Sequence, residues 1–524
     1  MSKKIKIEAK LIVAYQDGEH RILRNGCVVV EGNQISFVGS TFDQPVDEIV
    51  DAGERIVTPG FINTHCHMAG SPLDKSFIED VGSRQFYLSG LPVMLRARGG
   101  AMRDEDKEAC VDYSIVELIR TGTTTIMEQG GMGDYVADAA EQAGLRAYIA
   151  NMYSSASWIT PTGRQVEYDW NEAAGIEGFR KAVDFVQRVD GRANGRIKGF
   201  LGPAQIDNCT EELLRMSSEA SKEMQVPVSL HTSQAVFEFQ EIARGYGMTP
   251  VEWLESIDFL SEWALLGHVI YPAGHSWVNF AGDDLSILKR HKASVAHATW
   301  VFNRRGIAME SFPEYLDAGV NVCLGTDTCP QSMIEAMRWS AVVGKIMSRQ
   351  TEKSTAADVF NAATLNPAQM LHRDDLGRIS AGAKADLLFW DTSSMFMVPM
   401  RDPIKNIVYN ATADELKDVM IDGEWVMKGR EVLNIDERQA NDKLQIAGEH
   451  VWASVNPEVA SSADELSPQT FPKFEGYTQT LISALVLIGG VNILMQSIWL
   501  GERAVICKFD RFSNGSFTGY FYII

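Results

Sequence analysis

His65 and His67 stand two apart in FINTHCHM. On an extended strand, residues i and i+2 face the same side, so both imidazoles project toward one point. His231 closes the apolar run VPVSLHT, His268 closes WALLGH, and Asp327 closes VCLGTD. Polar side chains that terminate buried strands are where a TIM-type barrel gathers its chemistry. Imidazoles and a carboxylate at one mouth form a hard-to-borderline donor set suited to Zn²⁺, Fe²⁺, Mn²⁺ or Co²⁺. The plain alternative is five separately satisfied strand ends. His297, in ASVAHAT, ends another such run. Three His and one Asp already fill a catalytic shell once water is added, so His297 is expected at the rim, beside substrate. His20, His275, His291, His372 and His450 fall in segments that read as loops or helices and are expected to be solvated.

Something must carry those strand ends to one place. The first sixty residues alternate short apolar runs with turns at Asp17-Gly18, Asn25-Gly26 and Gly32-Asn33, which predicts strands. From Asp104 to Arg120 the pattern is helical, with apolar Ala109, Val111, Ile115, Leu118 and Ile119, and Gly122 just beyond. TTTIME follows as a β-branched run. Helical and strand-like segments then alternate as far as NVCLGTD, making eight strands with FINTHCH, each followed by a helical segment. That order predicts an α/β chain with a (β/α)₈ TIM-type barrel over residues 59–375. An open doubly wound sheet is the alternative, but the chain carries no Gly-rich phosphate loop. KADLLFWD, KNIVYN and VMIDGEWVMKGREV return to β character. The two chain ends, 1–58 and 376–435, are therefore expected to build one small β-sandwich domain. A helical extension (436–475) and an apolar tail (476–524) follow.

Composition narrows the partners. With 48 Lys and Arg against 69 Asp and Glu, the net charge is -21, which argues against a nucleic-acid partner because phosphate binding needs clustered cations. A small-molecule substrate and a homo-oligomer are expected. Seven dispersed cysteines without a CxxC pair, and an N-terminal stretch lacking a secretory core, point to reduced thiols and a cytoplasmic protein. Residues 481–500 (LISALVLIGGVNILMQSIWL) have the length of a bilayer span, diluted by Ser, Gly, Asn and Gln. They read as an anchor, a docked segment or a loose tail.

The segments VTPGFINTHCHM, TGTTTIME, SLHTSQ, LLGHV, SVAH, LGTDT, GRISAGAKADLLFWD and VMIDGEWVMKGR, in this order over roughly residues 5 to 435, resemble the amidohydrolase superfamily. The similar branch holds atrazine chlorohydrolase and the cytosine, guanine and adenosylhomocysteine deaminases. The resemblance implies that His65, His67, His231 and Asp327 ligate one catalytic metal, zinc first among the candidates. It implies that His268 orients water or shuttles its proton, and that Asp327 also takes that proton. Lys198 is the position at which a two-metal branch carries a carbamylated bridge; a solvated strand-edge lysine is the other reading.

Two departures bear on chemistry. Where the branch usually has Glu three residues after the fifth-strand His, this chain has Gln234. An amide cannot act as a general acid, although it can orient a substrate. The loop ATWVFNRRGIA after His297 also differs, and Arg304, Arg305 and Trp300 there are candidate substrate contacts. A metal lowers the pKa of its water to about 7, so hydroxide can attack near neutrality. The expected reaction is hydrolysis of a carbon–nitrogen bond in an amide, urea, carbamate or lactam, or loss of a leaving group from an N-heteroaromatic ring. Deamination of a purine, pyrimidine or triazine is the next reading, and a decayed barrel that only binds is a reading of another class. Phe86, Trp158, Trp300 and Phe302 are the aromatic candidates for lining a pocket.

Overall fold

Strands Lys4–Gln16 and Glu19–Glu31 pair antiparallel, with Gln16 opposite Glu19 across the Asp17-Gly18 turn. Along the first strand Ile5, Ile7 and Ala9 are buried, while Lys4, Lys6, Glu8 and Lys10 are not. That is the period-2 pattern of a sheet with one face covered. Ile56–Pro59 runs parallel to the first strand and antiparallel to Leu387–Trp390. Leu416–Ile421, Glu424–Lys428 and Glu431–Val432 extend the sheet on one side and Gln34–Gly39 on the other, with Glu48–Asp51 paired to the first strand. Both flanks of the chain thus share one sheet. Pairing runs through it without a break, because Ile56–Pro59 joins the two groups of strands.

The computed structural model describes residues 2–76, 80, 86–310, 312–455, 496–500, 503–511 and 517–523, the last three stretches by backbone alone. The chain divides into two units, Met1–Ser467 and Pro468–Ile524. Besides the mixed sheet, the first unit holds two parallel sheets. Phe61–Cys66, Thr123–Gly130, Arg146–Tyr153 and Ile197–Gly199 form one, with Gly202–Pro203 added to the third strand. Val228–Thr232, Ala264–His268, Ser294–His297 and Asn321–Leu324 form the other. Parallel bridges Leu201–Val228 and Gln205–His231 join them along one seam, and Cys66–Asp327 joins them along the other.

Strand and helix alternate as the sequence pattern requires. Asp104–Arg120 is helical, and its buried residues include Ala109, Val111, Ile115, Leu118 and Ile119. Its first turn carries Asp104, Glu105 and Asp106, whose charge complements the N-terminal dipole. Neighbouring strand residues face opposite sides. Met127, Tyr148, Phe200, Leu265, Ala296 and Cys323 pack together as one cluster, while Ile126, Ile149 and Val295 pack with the helices in another. Arg146, at the start of its strand and 1% exposed, ties the parallel strands to the mixed sheet. Its guanidinium donates twice to Asp386, at 3.1 Å each, and once to Asp422 at 2.9 Å. Helix Glu437–Ser454 lies on Asp104–Arg120 through Ala447 and Val451.

In the second unit, Gln496–Leu500, Arg503–Arg511 and Phe517–Ile523 form an antiparallel sheet. Most of the apolar run, 481–495, lies outside the described residues, and 496–500 is strand. Among the described residues no helix is long and apolar enough to cross a membrane. Cys27, Cys66, Cys110, Cys209, Cys323 and Cys329 are buried and free.

Candidate active site

Four imidazoles and one carboxylate meet where the parallel strands end. His65 and His67 project from the first strand, with ring centroids 5.0 Å apart. The His65 ring lies 4.7 Å from those of His231 and His268. His67 Nε2 is 3.1 Å from His231 Nε2 and 3.3 Å from Asp327 Oδ1, and His65 Nε2 is 3.9 Å from the same oxygen. One nitrogen each of His65, His231 and His268 fall within 4.8 Å of one another, as do donor atoms of His65, His67 and Asp327.

The backbone explains why they converge. Asp327 N–H and Thr326 N–H both donate to His65 O, and His67 N–H donates to Asp327 O. Gly325 allows this approach: a Cβ there would lie 2.6 Å from His65 Cβ and 2.9 Å from its backbone nitrogen. His268 (φ 80°), Asp327 (φ 60°) and Ser233 (φ 53°) all sit in the left-handed region. L-residues adopt it at a cost and hold it only where the surroundings impose it, typically at functional sites.

Hydrogen bonds around the cluster set the tautomers. His67 Nδ1–H donates to Gln129 O at 2.5 Å, and His231 Nδ1–H donates to Ala204 O at 2.6 Å. Both Nε2 atoms then carry lone pairs, and these face each other 3.1 Å apart with no proton between them. His65 and His268 are buried with neither ring nitrogen partnered. Buried polar atoms are seldom left so, and a carbonyl behind a ligating imidazole is the usual support of a metal ligand. The donor set therefore fits a divalent cation held by imidazole and carboxylate. Burial keeps four rings neutral: it pushes His231 and His297 down to about 3, and His65 and His268 well below the usual range. Burial also raises Asp327, against the pull of Arg305 and Arg304.

A cavity of about 310 Å³ opens onto this cluster, the lower end of the range for small-molecule sites. His67, His231, Asp327 and Gln234 line it. Gln234 follows a loop gripped by Glu238, whose carboxylate accepts from Ser233 N–H (2.5 Å), Gln234 N–H (2.9 Å) and Ala235 N–H (3.3 Å). Gln234 Nε2 donates to Gln205 Oε1, and both side chains line the cavity.

Other expected contacts are placed differently. His297 is buried against Phe312, 5.5 Å between ring centroids, and is not among the lining residues. Trp300 packs on Trp339, and Arg304 donates to Thr328 Oγ1 at 3.2 Å, leaving Val301 and Arg305 to line the cavity. Phe86 and Trp158 pack against Phe237, and Phe302 against the His268 ring. Methionines 94, 102, 132 and 152 supply the apolar lining instead. Lys198 Nζ donates to Asp190 Oδ1 at 3.1 Å and takes no part in the histidine cluster. Two histidines expected in solvent are largely covered: His20 lies on strand Glu19–Glu31 against Phe360, and His275 is 5% exposed beneath Tyr271. Gln205, Arg98 and Glu128, which no motif singles out, also line the cavity. A carboxylate inside the buried run TTTIME was the available signal for the last.

A sequence model of the amidohydrolase family matches residues 56–426. The chain is 28% identical over 444 residues to a 5'-deoxyadenosine deaminase of Methanococcoides burtonii, covering 84% of this chain and 96% of that protein. It is 27% identical over 419 residues to a 5-methylthioadenosine/S-adenosylhomocysteine deaminase of Carboxydothermus hydrogenoformans, covering 79% and 90%. Among solved structures, an adenosine deaminase from Xanthomonas campestris with bound zinc superposes with a TM-score of 0.73 at 20% identity, covering 86% of this chain and 98% of that one. An atrazine chlorohydrolase from Arthrobacter aurescens complexed with zinc gives 0.70 at 20% identity, covering 85% and 100%. At these identities the two structures bear on the fold.

Proposed function

Because the chain belongs to the amidohydrolase family, a family of metal-dependent hydrolases, we propose that it removes an amino group hydrolytically from an sp² ring carbon of an N-heteroaromatic small molecule, purine nucleosides foremost. The bond class is carbon–nitrogen other than peptide. We read the two parallel sheets as one (β/α)₈ barrel, on the strength of the bridges at both seams. The mixed sheet is its companion domain.

The observation that carries the substrate class is the amide pair beside the histidines. With one N–H given to Gln205, Gln234 keeps an acceptor oxygen and a second N–H. A primary amide so placed matches the adjacent donor and acceptor of an amino group and ring nitrogen, as Gln matches adenine. The names of the deaminases similar in sequence support the same reading.

His65, His67, His231 and Asp327 would hold the metal, zinc in our reading. That ion supplies a Lewis acid which makes water acidic enough to deliver hydroxide near neutral pH. Asp327 takes the proton of the attacking water and returns it to the departing nitrogen. His268, kept neutral by burial, stands beside that path and orients the water. Gln234 and Gln205 hold the ring edge toward Asp327. Displacement of nitrogen from a carbonyl carbon is the second reading, favoured by one fact: the Gln234 amide has no acidic proton for a ring nitrogen.

Ammonia release from 5'-deoxyadenosine, adenosine and aminopyrimidines, set against amides, ureas and lactams, tests this directly. Turnover of the ring compounds is expected, and turnover of the carbonyl compounds alone would overturn it. Gln234→Glu sharpens the choice, because general-acid assistance contributes on the order of 10² to 10⁴ in rate. A gain on ring substrates fits our reading, and a loss on every substrate fits the carbonyl one.

A further inference from the structure

The cavity does not end at the histidines. It continues past Gly130 beneath helix Leu91–Ala101, where Met94, Met102 and Met132 supply apolar walls and Asp74, Arg98, Lys107 and Glu128 supply the charge, with Lys107 paired to Asp104. Asp74 and Arg98 are paired with each other. Among the described residues, Glu128 is not paired with any cation. It is 0% exposed; Oε1 accepts only the Met68 N–H, at 3.4 Å, and Oε2 has no partner. The space it occupies depends on Gly130, since a Cβ there would lie 2.5 Å from Glu128 Oε1.

We propose that this lobe is a second subsite, which takes the non-reacting arm of the substrate, and that the arm ends in a protonated amine held by Glu128. An isolated carboxylate under cover is costly unless a cation or several donors meet it. Among the described residues, one long backbone hydrogen bond and no cation meet it. Burial alone accordingly lifts the Glu128 carboxyl from its ordinary 4.5 to about 8, and an arriving ammonium restores the charged form as an ion pair. Methionine walls suit the alkyl part of such an arm, since thioethers adapt to irregular apolar shapes. The ring end of the ligand rests on the reading under Proposed function. The amine end does not.

Two measurements on the metal-loaded protein keep those apart. The first compares deamination of 5'-amino-5'-deoxyadenosine with that of 5'-deoxyadenosine. The amine should be preferred by about tenfold or more in kcat/KM, the scale of a hydrogen bond to a charged group. Glu128→Gln and Glu128→Leu should both erase that ratio while metal content stays at the wild-type level. The second needs no ring and no turnover: butylammonium should raise the melting temperature of the wild type above that in equimolar butanol, and should do so in neither variant. If the nucleosides are inert but butylammonium stabilises through Glu128, the ring assignment fails and the subsite stands. If butylammonium stabilises nothing, or stabilises the variants equally, the subsite is wrong even for an active deaminase.

Discussion

The parallel strands bury polar groups at both ends, and the two ends treat them oppositely. At the N-terminal end Arg146 meets Asp386 and Asp422 with three charge-assisted hydrogen bonds of 2.9 to 3.1 Å. At the C-terminal end His65 and His268 have no partner for either ring nitrogen, His67 and His231 turn lone pairs on each other, and Glu128 leaves an oxygen bare. His65, His268 and Glu128 are buried as deeply as Arg146, so depth does not distinguish structure from function. Completeness of pairing does: the closed network holds two sheets together, and the open one offers the unpartnered donor atoms that our reading assigns to a metal and a substrate.

The largest expected effect breaks the closed end. Arg146→Ala leaves two buried carboxylates facing each other and should cost about 3–5 kcal/mol in denaturant unfolding, the usual penalty for removing one member of a buried ion pair. The metal affinity of whatever remains folded should not change. At the open end the pattern reverses. His65→Ala or Asp327→Ala should abolish metal retention and turnover, yet lower the stability of the metal-free protein far less than Arg146→Ala does. Equal losses of stability at the two ends would erase the distinction.

Glu128 gives a smaller effect with a defined sign. Its folded value, about 8, stands above its ordinary 4.5. Its contribution to stability is therefore full below pH 4.5 and is lost as pH rises through 8, because there the unfolded chain has released a proton that the folded chain keeps. Glu128→Gln should flatten the fall in stability between those values, read from unfolding at several pH values. A parallel curve for wild type and variant would show that the carboxyl is not held neutral. The least effect is expected from the tail. Deleting the residues after Pro472 should leave activity and melting temperature unchanged, since both sheet systems and the histidine cluster lie in the first unit. Inactivation by that truncation would make the second unit part of the enzyme.

The open end was legible in the sequence because its signals are local. A polar residue closing an apolar run marks a strand end, and an i, i+2 histidine pair fixes a common face without knowledge of the neighbours. Helix Asp104–Arg120 was read from its 3.6-residue period for the same reason. The closed end was invisible, since its partners stand 240 and 276 residues from Arg146. Phe360, far along the chain, covers His20, whereas Tyr271 covers His275 from only four residues before it, through a turn that no periodic pattern reveals. The same holds for the cavity wall: Trp158 and Phe86 were plausible as composition, but Phe237 takes them, and methionines fill the place. Glu128 was concealed by good company, a carboxylate inside a run whose β-branched neighbours explain themselves as strand.

The metal content of the purified protein probes the open end most directly. Elemental analysis of the native chain, followed by chelation and titration with Zn²⁺, should give close to one equivalent per chain, with activity lost on stripping and restored on addition. His65→Ala and Asp327→Ala should give none. Two equivalents in the native protein would bring Lys198 back as a bridging ligand, and no stoichiometric metal in an active enzyme would contradict the site altogether.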